Sequence, residues 1–258
     1  MQRTQSGRPA LGRRTAIAAV LALACAAALT TAVEGAGAAN ASAGSAAITV
    51  RVEGPSSTLL PASVVSLTGA KVSKNGVAAD SCAGTSAAGA LQAATHGDWN
   101  GTWSESYRSY FLTSIEGLRF PASGATYWAF WVNDAPSAEG ICSYKPKPGD
   151  SLLFFPDCYG KSCPPNGGVL GLKAPAVAVV GTPFTVSVTA YSDAKGAPSK
   201  AVGATVSAGA VTAKTGPAGT ATLKLARAGT LTVEVTAPHA VRDEARICVE
   251  AAASKTCG

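Results

Sequence analysis

From Ile48 to Val52 the chain alternates apolar and polar residues, as a half-buried strand does. Gly54-Pro55 breaks this run, and Ser63 to Leu67 reads as the second strand of a hairpin. The pattern then changes period. Ala87, Ala90, Leu91 and Ala94 recur at i, i+3, i+4 and i+7 and give one apolar helical face. A helix is therefore predicted from Thr85 to Thr95, capped by Thr85 or Ser86 and stopped by Gly97. Strands are predicted again at Tyr107–Ile115, Thr126–Val132 and Ser151–Phe155. One helix among several strands implies an α+β module in which a sheet buries the helix.

Past Cys163-Pro-Pro-Asn-Gly-Gly168 the helical period disappears. The runs Phe184–Ala190, Gly219–Leu225 and Thr230–Thr236 alternate strictly, and Gly and Pro punctuate them. Short, regularly interrupted strands of this kind predict an all-β sandwich. The chain divides into a leader at 1–43, an α+β domain at 44–165 and a β-sandwich domain at 166–258.

The leader reading rests on order. Arg3, Arg8, Arg13 and Arg14 precede an Ala-rich apolar run from Thr15 to Val33, and Ala-x-Ala patterns follow, ending at Ala38, Ala41 and Ala43. A signal peptidase reads this arrangement, so the protein is expected to be secreted or held in the cell envelope. Thr15 and Ala16 follow Arg13-Arg14 where a twin-arginine signal wants hydrophobic residues, which favours general secretion. No stable membrane span is expected after cleavage. Lipidation at Cys25 is disfavoured because the apolar run continues past it.

Export changes the charge and cysteine arithmetic. The chain carries 21 Lys and Arg against 15 Asp and Glu, a net charge of +6. Four of the basic residues and one acid, Glu34, precede Gly44, so the remainder is only about +3. That is ordinary for a surface and gives no warrant for nucleic-acid binding. Loss of Cys25 leaves Cys82, Cys142, Cys158, Cys163, Cys248 and Cys257. An even count in an exported chain favours disulfides over metal, since no Cys-x-x-Cys is present and His96 and His239 are the only histidines. Cys248 is expected to pair with Cys257, Cys158 with Cys163, and Cys82 with Cys142. A Cys82–Cys158 pairing is the competing connectivity.

The same scarcity of histidine leaves little for general acid–base work. No metalloprotease, nucleophile-elbow or phosphate-loop motif is found. Catalysis would have to fall to carboxylates among Asp98, Glu105, Glu116, Asp134 and Asp157. A non-catalytic role is expected, with no cofactor and no metal.

The aromatic residues are distributed unusually. All four tryptophans, Trp99, Trp103, Trp128 and Trp131, lie within one short stretch, interleaved with Tyr107, Tyr110, Tyr127 and Phe130. Strand alternation sends Trp128, Phe130 and Val132 to one face and Tyr127, Ala129 and Trp131 to the other. Trp99 and Trp103 fall in a polar, Gly-containing segment read as a loop, and loop aromatics on a rigid scaffold often bind ligands. Trp99, Trp103, Tyr110, Tyr127 and Trp131 are thus the candidate ligand-binding set, for an unknown small molecule or glycan. Packing of Trp131 on the second domain, and of Trp99 and Trp103 in a core, is the competing reading. The alternative function is a cell-surface adhesion or structural protein acting through protein contacts.

Two stretches carry a family resemblance. Ala88-Gly-Ala-Leu-Gln-Ala-Ala94 resembles the helix, and Tyr127-Trp-Ala-Phe-Trp-Val-Asn133, Gly140–Asp150 and Leu152–Phe155 resemble the closing strands, of the transcobalamin-like C-terminal domain, also called DUF4430. Phe111–Leu118 fits the strand before them. The resemblance spans roughly residues 46–158. It implies a β-grasp-like fold, with a sheet wrapped around one helix, on which soluble ligands bind. Asp134 stands where the family commonly has Gly, and the chain has no counterpart of the helical barrel against which transcobalamins hold cobalamin. The segment from about Lys173 to Glu250 is similar to bacterial Ig-like domains, which usually act as spacers or adhesive modules.

Overall fold

The computed structural model describes residues 47–251 apart from 122–123, 162, 164–166 and 193–194. The leader, Cys25 and Cys257 lie outside the described residues. The described chain is mostly β, with one helix. The first part runs β1 (Ile48–Glu53), β2 (Thr58–Val65), α1 (Ala87–Ala94), β3 (Trp99–Ser104), β4 (Ser109–Ile115), β5 (Leu118–Arg119), β6 (Thr126–Val132), β7 (Ala135–Pro136) and β8 (Ser151–Cys158). These strands form a five-stranded sheet in the order β2-β1-β8-β6-β7 and a three-stranded sheet in the order β3-β4-β5. The β1–β8 pair is parallel and its neighbours are antiparallel.

The second strand begins earlier than the expected Ser63, because four residues suffice to turn the chain: Gly54 N–H bonds back to Ser57 O at 2.8 Å. Pro61 sits inside β2 at the register shift between Leu60 and Ser63, and an edge strand tolerates a proline at such an irregularity. The helix forms where its period predicts. Ser86 is the N-cap, its Oγ accepting from Gly89 N, and Gly97 follows at φ +92°. Ala87, Ala88, Ala90 and Leu91 are fully buried. Such close burial explains Gly89, where an added Cβ would stand 2.1 Å from the Gly84 carbonyl oxygen. Backbone contact of that kind excludes any side chain.

The core of this part lies between α1 and one face of the large sheet. It holds Val50, Val52, Leu152 and Phe154 with Trp128 and, at its margin, Phe130 and Val132. The alternation along β6 thus sorts its residues as predicted. The opposite face carries Ala129, Trp131, Leu153 and Phe155, which form a separate buried cluster with Val169.

Val169 belongs to the second part: β9 (Val169–Lys173), β10 (Val177–Val179), β11 (Pro183–Tyr191), β12 (Pro198–Lys200), β13 (Thr205–Ala208), β14 (Val211–Lys214), β15 (Thr220–Lys224), β16 (Gly229–Thr236) and β17 (Asp243–Glu250). One sheet runs β10-β17-β16-β13-β14; the other pairs β11 with β9, β12 and β15. Their facing residues, among them Val186, Val206, Leu223, Val233, Val235 and Ile247, make one apolar core. The described residues form one compact unit. Within it, Tyr191 and Val241 of the second part close over Trp131.

Cys82 and Cys142 are disulfide-bonded, as are Cys158 and Cys163. Both pairings match the expectation, and the Cys82–Cys158 alternative is not formed. Cys248 is also disulfide-bonded.

Candidate functional site

The residues at the end of β6 build a clamp that ties β6 to the start of β8. Asn133 and Asp134 form the two-residue loop between β6 and β7, both at positive φ, +49° and +64°. This is the conformation that favours Asn-Gly in tight hairpins, and Asp tolerates it better than most residues. The Asn133 amide then reaches across the sheet. Its Nδ2 donates to Asp150 Oδ1 at 2.8 Å, and its Oδ1 accepts from Ser151 N at 2.9 Å. Asp150 Oδ2 also accepts from Tyr144 Oη at 2.7 Å and Lys147 N at 2.8 Å. Burial pushes the Asp150 carboxyl up, but these hydrogen bonds outweigh it and leave its pKa lowered.

The clamp fixes the connection from β7 to β8. That connection in turn caps the helix: Ala87 N donates to Tyr144 O at 2.9 Å and Ala88 N to Ile141 O at 2.8 Å. Two of the orphan donors at the helix start are thereby satisfied.

Between β4 and β6 lies a groove of about 670 Å³. Tyr107, Tyr110, Phe111, Tyr127 and Trp131 are among the side chains that line it, and residues 136–141 wall one part of it. Tyr107 is 70% exposed, Phe111 54% and Tyr127 41%. The Tyr107 and Phe111 rings meet edge to face at 5.5 Å. Tyr127 Oη donates to Asp157 Oδ2 at 2.9 Å.

Three of the five sequence candidates, Tyr110, Tyr127 and Trp131, therefore meet in one groove. Trp131 and Tyr110 contribute mostly buried surface, at 3% and 4% exposure. Trp99 and Trp103 require correction. They lie on β3, not in a loop, because the Gly101 backbone packs against Phe111 O and lets β3 pair with β4. Trp99 is 3% exposed and belongs to the core; Trp103 packs against it. Both rings meet Tyr110 edge to face, at 5.7 and 5.1 Å, and Lys74 Nζ lies 4.5 Å above the Trp99 ring. Neither tryptophan lines the groove. Tyr107 and Phe111, which the candidate set omits, do; alternation placing Phe111 opposite buried Tyr110 was the available signal.

Of the five carboxylates singled out in the sequence, Asp157 lines the groove, as does Glu139. Asp98 and Glu116 approach each other at the β3–β4 end, where burial first and then Asp98 raise the Glu116 pKa. Among the described residues no group of three His, Cys, Asp or Glu is placed to hold a metal ion. Nor is any helix long and apolar enough to cross a membrane.

A buried ion cluster that periodicity did not announce joins β1 to β17. Arg51 Nη1 lies 2.7 Å from Asp243 Oδ1 and 3.2 Å from Glu53 Oε1, and it donates to Arg242 O at 2.9 Å. Arg242 Nε lies 3.9 Å from Glu53 Oε2. Burial raises the Glu53 pKa from 4.5 to about 7, against the pull of Arg51, Thr58 and Arg242. Burial raises Asp243 too, against the pull of Arg51.

A raised acid pKa means that the folded state holds the proton more tightly than the unfolded chain. Stability from these groups is therefore greatest below about pH 4.5 and declines as pH climbs toward 7. Asp150 acts in the opposite sense only below its ordinary 3.8. The melting temperature is expected to fall by roughly 5 °C between pH 5 and pH 8. Glu53→Gln should flatten that dependence, and an unchanged slope in this variant would remove Glu53 as its source.

No curated protein matches the chain. A solved protein of Ruminococcus gnavus ATCC 29149, described as a candidate metal-binding protein, is similar to it at 16% identity and a TM-score of 0.32, over 44% of this chain and 98% of that one. Residues 84–155, from the turn before α1 to the middle of β8, match the domain of unknown function DUF4430.

Proposed function

We propose that the protein is a secreted, non-catalytic binding protein whose first module takes a ligand in the aromatic groove between β4 and β6. The observation that carries this reading is the groove itself: a cleft of about 670 Å³ that keeps Tyr107 and Phe111 more than half exposed beside Tyr127. Large aromatic side chains left in water on a rigid frame stack on sugar rings, planar molecules and apolar side chains. The strand order β2-β1-β8-β6-β7, its parallel central pair and the single packed helix support a transcobalamin-like, β-grasp reading of residues 44–165. Two packed sheets support an Ig-like reading of residues 166–258. The second module supports the site, since Val169, Tyr191 and Val241 hold the far face of β6. Disulfides suit an oxidising compartment, in keeping with export.

The test is a double substitution, Tyr107→Ala with Phe111→Ala. Both residues are exposed, so the melting temperature should stay within about 2 °C of the parent. Binding in a screen of glycans, corrinoids, peptidoglycan fragments and peptides should weaken by at least about tenfold. Retained affinity for every ligand the parent binds would refute the site.

A further inference from the structure

We infer that Asn100 is an N-glycosylation acceptor, taking its glycan from a lipid-linked oligosaccharide; this rests on the export reading above and not on the groove. Asn100-Gly101-Thr102 has the Asn-x-Ser/Thr form with a residue other than Pro in the middle. The same form recurs at Asn40-Ala41-Ser42, inside the segment expected to be removed, and nowhere else in the chain. After cleavage the motif is therefore expected once.

The strand presents this motif outward. Asn100 and Thr102 lie two residues apart on β3, so their side chains share a face. Both are exposed, whereas Trp99 is buried and Gly101 and Trp103 are partly buried. The irregularity in the β3–β4 ladder does not disturb this alternation. Asn100 pairs with Ser114 and Gly101 with Leu112, so the extra residue, Thr113, belongs to β4. β3 is also the edge of its sheet, and among the described residues no strand lies along its other side. Thr102 pairs with Phe111, which puts the motif on the face of the sheet that carries the exposed Phe111 ring.

Packing accounts for the other residues of this stretch but not for these two. Trp99 and Trp103 pack in the core and meet Tyr110. An added Cβ on Gly101 would stand 2.8 Å from Phe111 O, which excludes a side chain there. Asn100 makes only a local bond, its Oδ1 accepting from Gly101 N at 2.8 Å. Among the described residues, Asn100 Nδ2 and Thr102 Oγ1 have no hydrogen-bond partner. The amide nitrogen that would carry the sugar is thus left in solvent, with the hydroxyl two residues on beside it. In the transfer, Asn100 Nδ2 attacks the anomeric carbon of an oligosaccharide carried on a lipid diphosphate. An N–C bond forms, the C–O bond to the diphosphate breaks, and the proton lost by the amide goes to the released lipid diphosphate. The chain supplies only the acceptor; a transferase of the export pathway reads the Thr102 hydroxyl.

Mass spectrometry of the full chain, expressed in its own host and recovered from the cells and the medium, tests this. The peptide that spans Asn100 should carry an added mass made up of sugar units, and enzymatic cleavage of the sugar–amide bond should leave Asp at that position. Asn100→Gln and Thr102→Ala should each lose the added mass completely, while Thr102→Ser should keep it. All three variants should still be exported and unfold cooperatively, since both side chains are exposed. An exported chain with Asn100 bare would overturn the inference and leave export standing. A chain retained in the cytoplasm with Asn100 bare would overturn both. Added mass that survives Asn100→Gln but not Thr102→Ala would place the sugar on the threonine and overturn the assignment to Asn100.

Discussion

Replacing Trp131 by Ala is expected to lower the stability of the folded chain by about 3–5 kcal/mol. The indole is 3% exposed and lies against Phe155, with ring centroids 5.8 Å apart, in the cluster shared with Val169, Tyr191 and Val241. Truncation opens a cavity in the seam between the two parts, where neither sheet can easily collapse to fill it. The same seam governs dissection. A fragment ending at residue 165 loses Val169, Tyr191 and Val241 and uncovers Ala129, Trp131, Leu153 and Phe155 together. It also strips Arg51 of Asp243, leaving an interior charge without its nearest partner. That fragment should be less stable than the same residues in the whole chain and prone to association through its bare sheet face. Denaturant unfolding of the Trp131→Ala variant checks the first statement; a loss below about 1 kcal/mol would mean that the seam is loose.

Removal of the Cys82–Cys142 disulfide should cost about 4 kcal/mol, since the bond closes a separation of 60 residues. The Cys158–Cys163 bond closes only 5 and should contribute about 2 kcal/mol. The longer bond also has local consequences. Cys82 is buried and bridges to Val72, while Cys142 lies in the connection that caps α1 and whose preceding residues, 136–141, wall the groove. Cys82→Ser with Cys142→Ser should therefore weaken ligand binding at temperatures where the chain is still folded. Cys158→Ser with Cys163→Ser should leave binding at the β4–β6 groove close to the parent value. Measuring thermal stability and affinity on both double variants separates the two bonds, and equal losses would contradict this assignment.

How much of this was legible in the sequence depended on whether periodicity or tertiary packing decided the matter. The helix and β6 were legible because one apolar face at i, i+3, i+4 and i+7, or a strict alternation, had a single way to be buried. Of the disulfides within the first part, Cys158–Cys163 was suggested by the short loop between the two cysteines, and Cys82–Cys142 was the remaining pair, with Cys82–Cys158 left open until the fold brought Cys82 to Cys142. β3 was hidden because its composition, Trp-Asn-Gly-Thr-Trp-Ser, is that of a turn; it becomes a strand only because β4 lies alongside it. That error carried Trp99 and Trp103 into the candidate site. Arg51 and Glu53 were hidden too, since charged residues alternating with valines read as a solvent face, and only β17 turns that face inward. The groove was legible in its aromatic content but not in its walls, because the facing of β4 and β6 is a property of two separate sheets.

The most direct test of the ligand groove is amide hydrogen exchange on the intact chain, with and without the panel member that binds it most tightly. The account predicts that slowed exchange appears together at Ser109–Leu112 and Trp128–Phe130, with little change in the second module. Protection confined to the cleft around His239 and Arg242, or no protection at either strand edge, would contradict it.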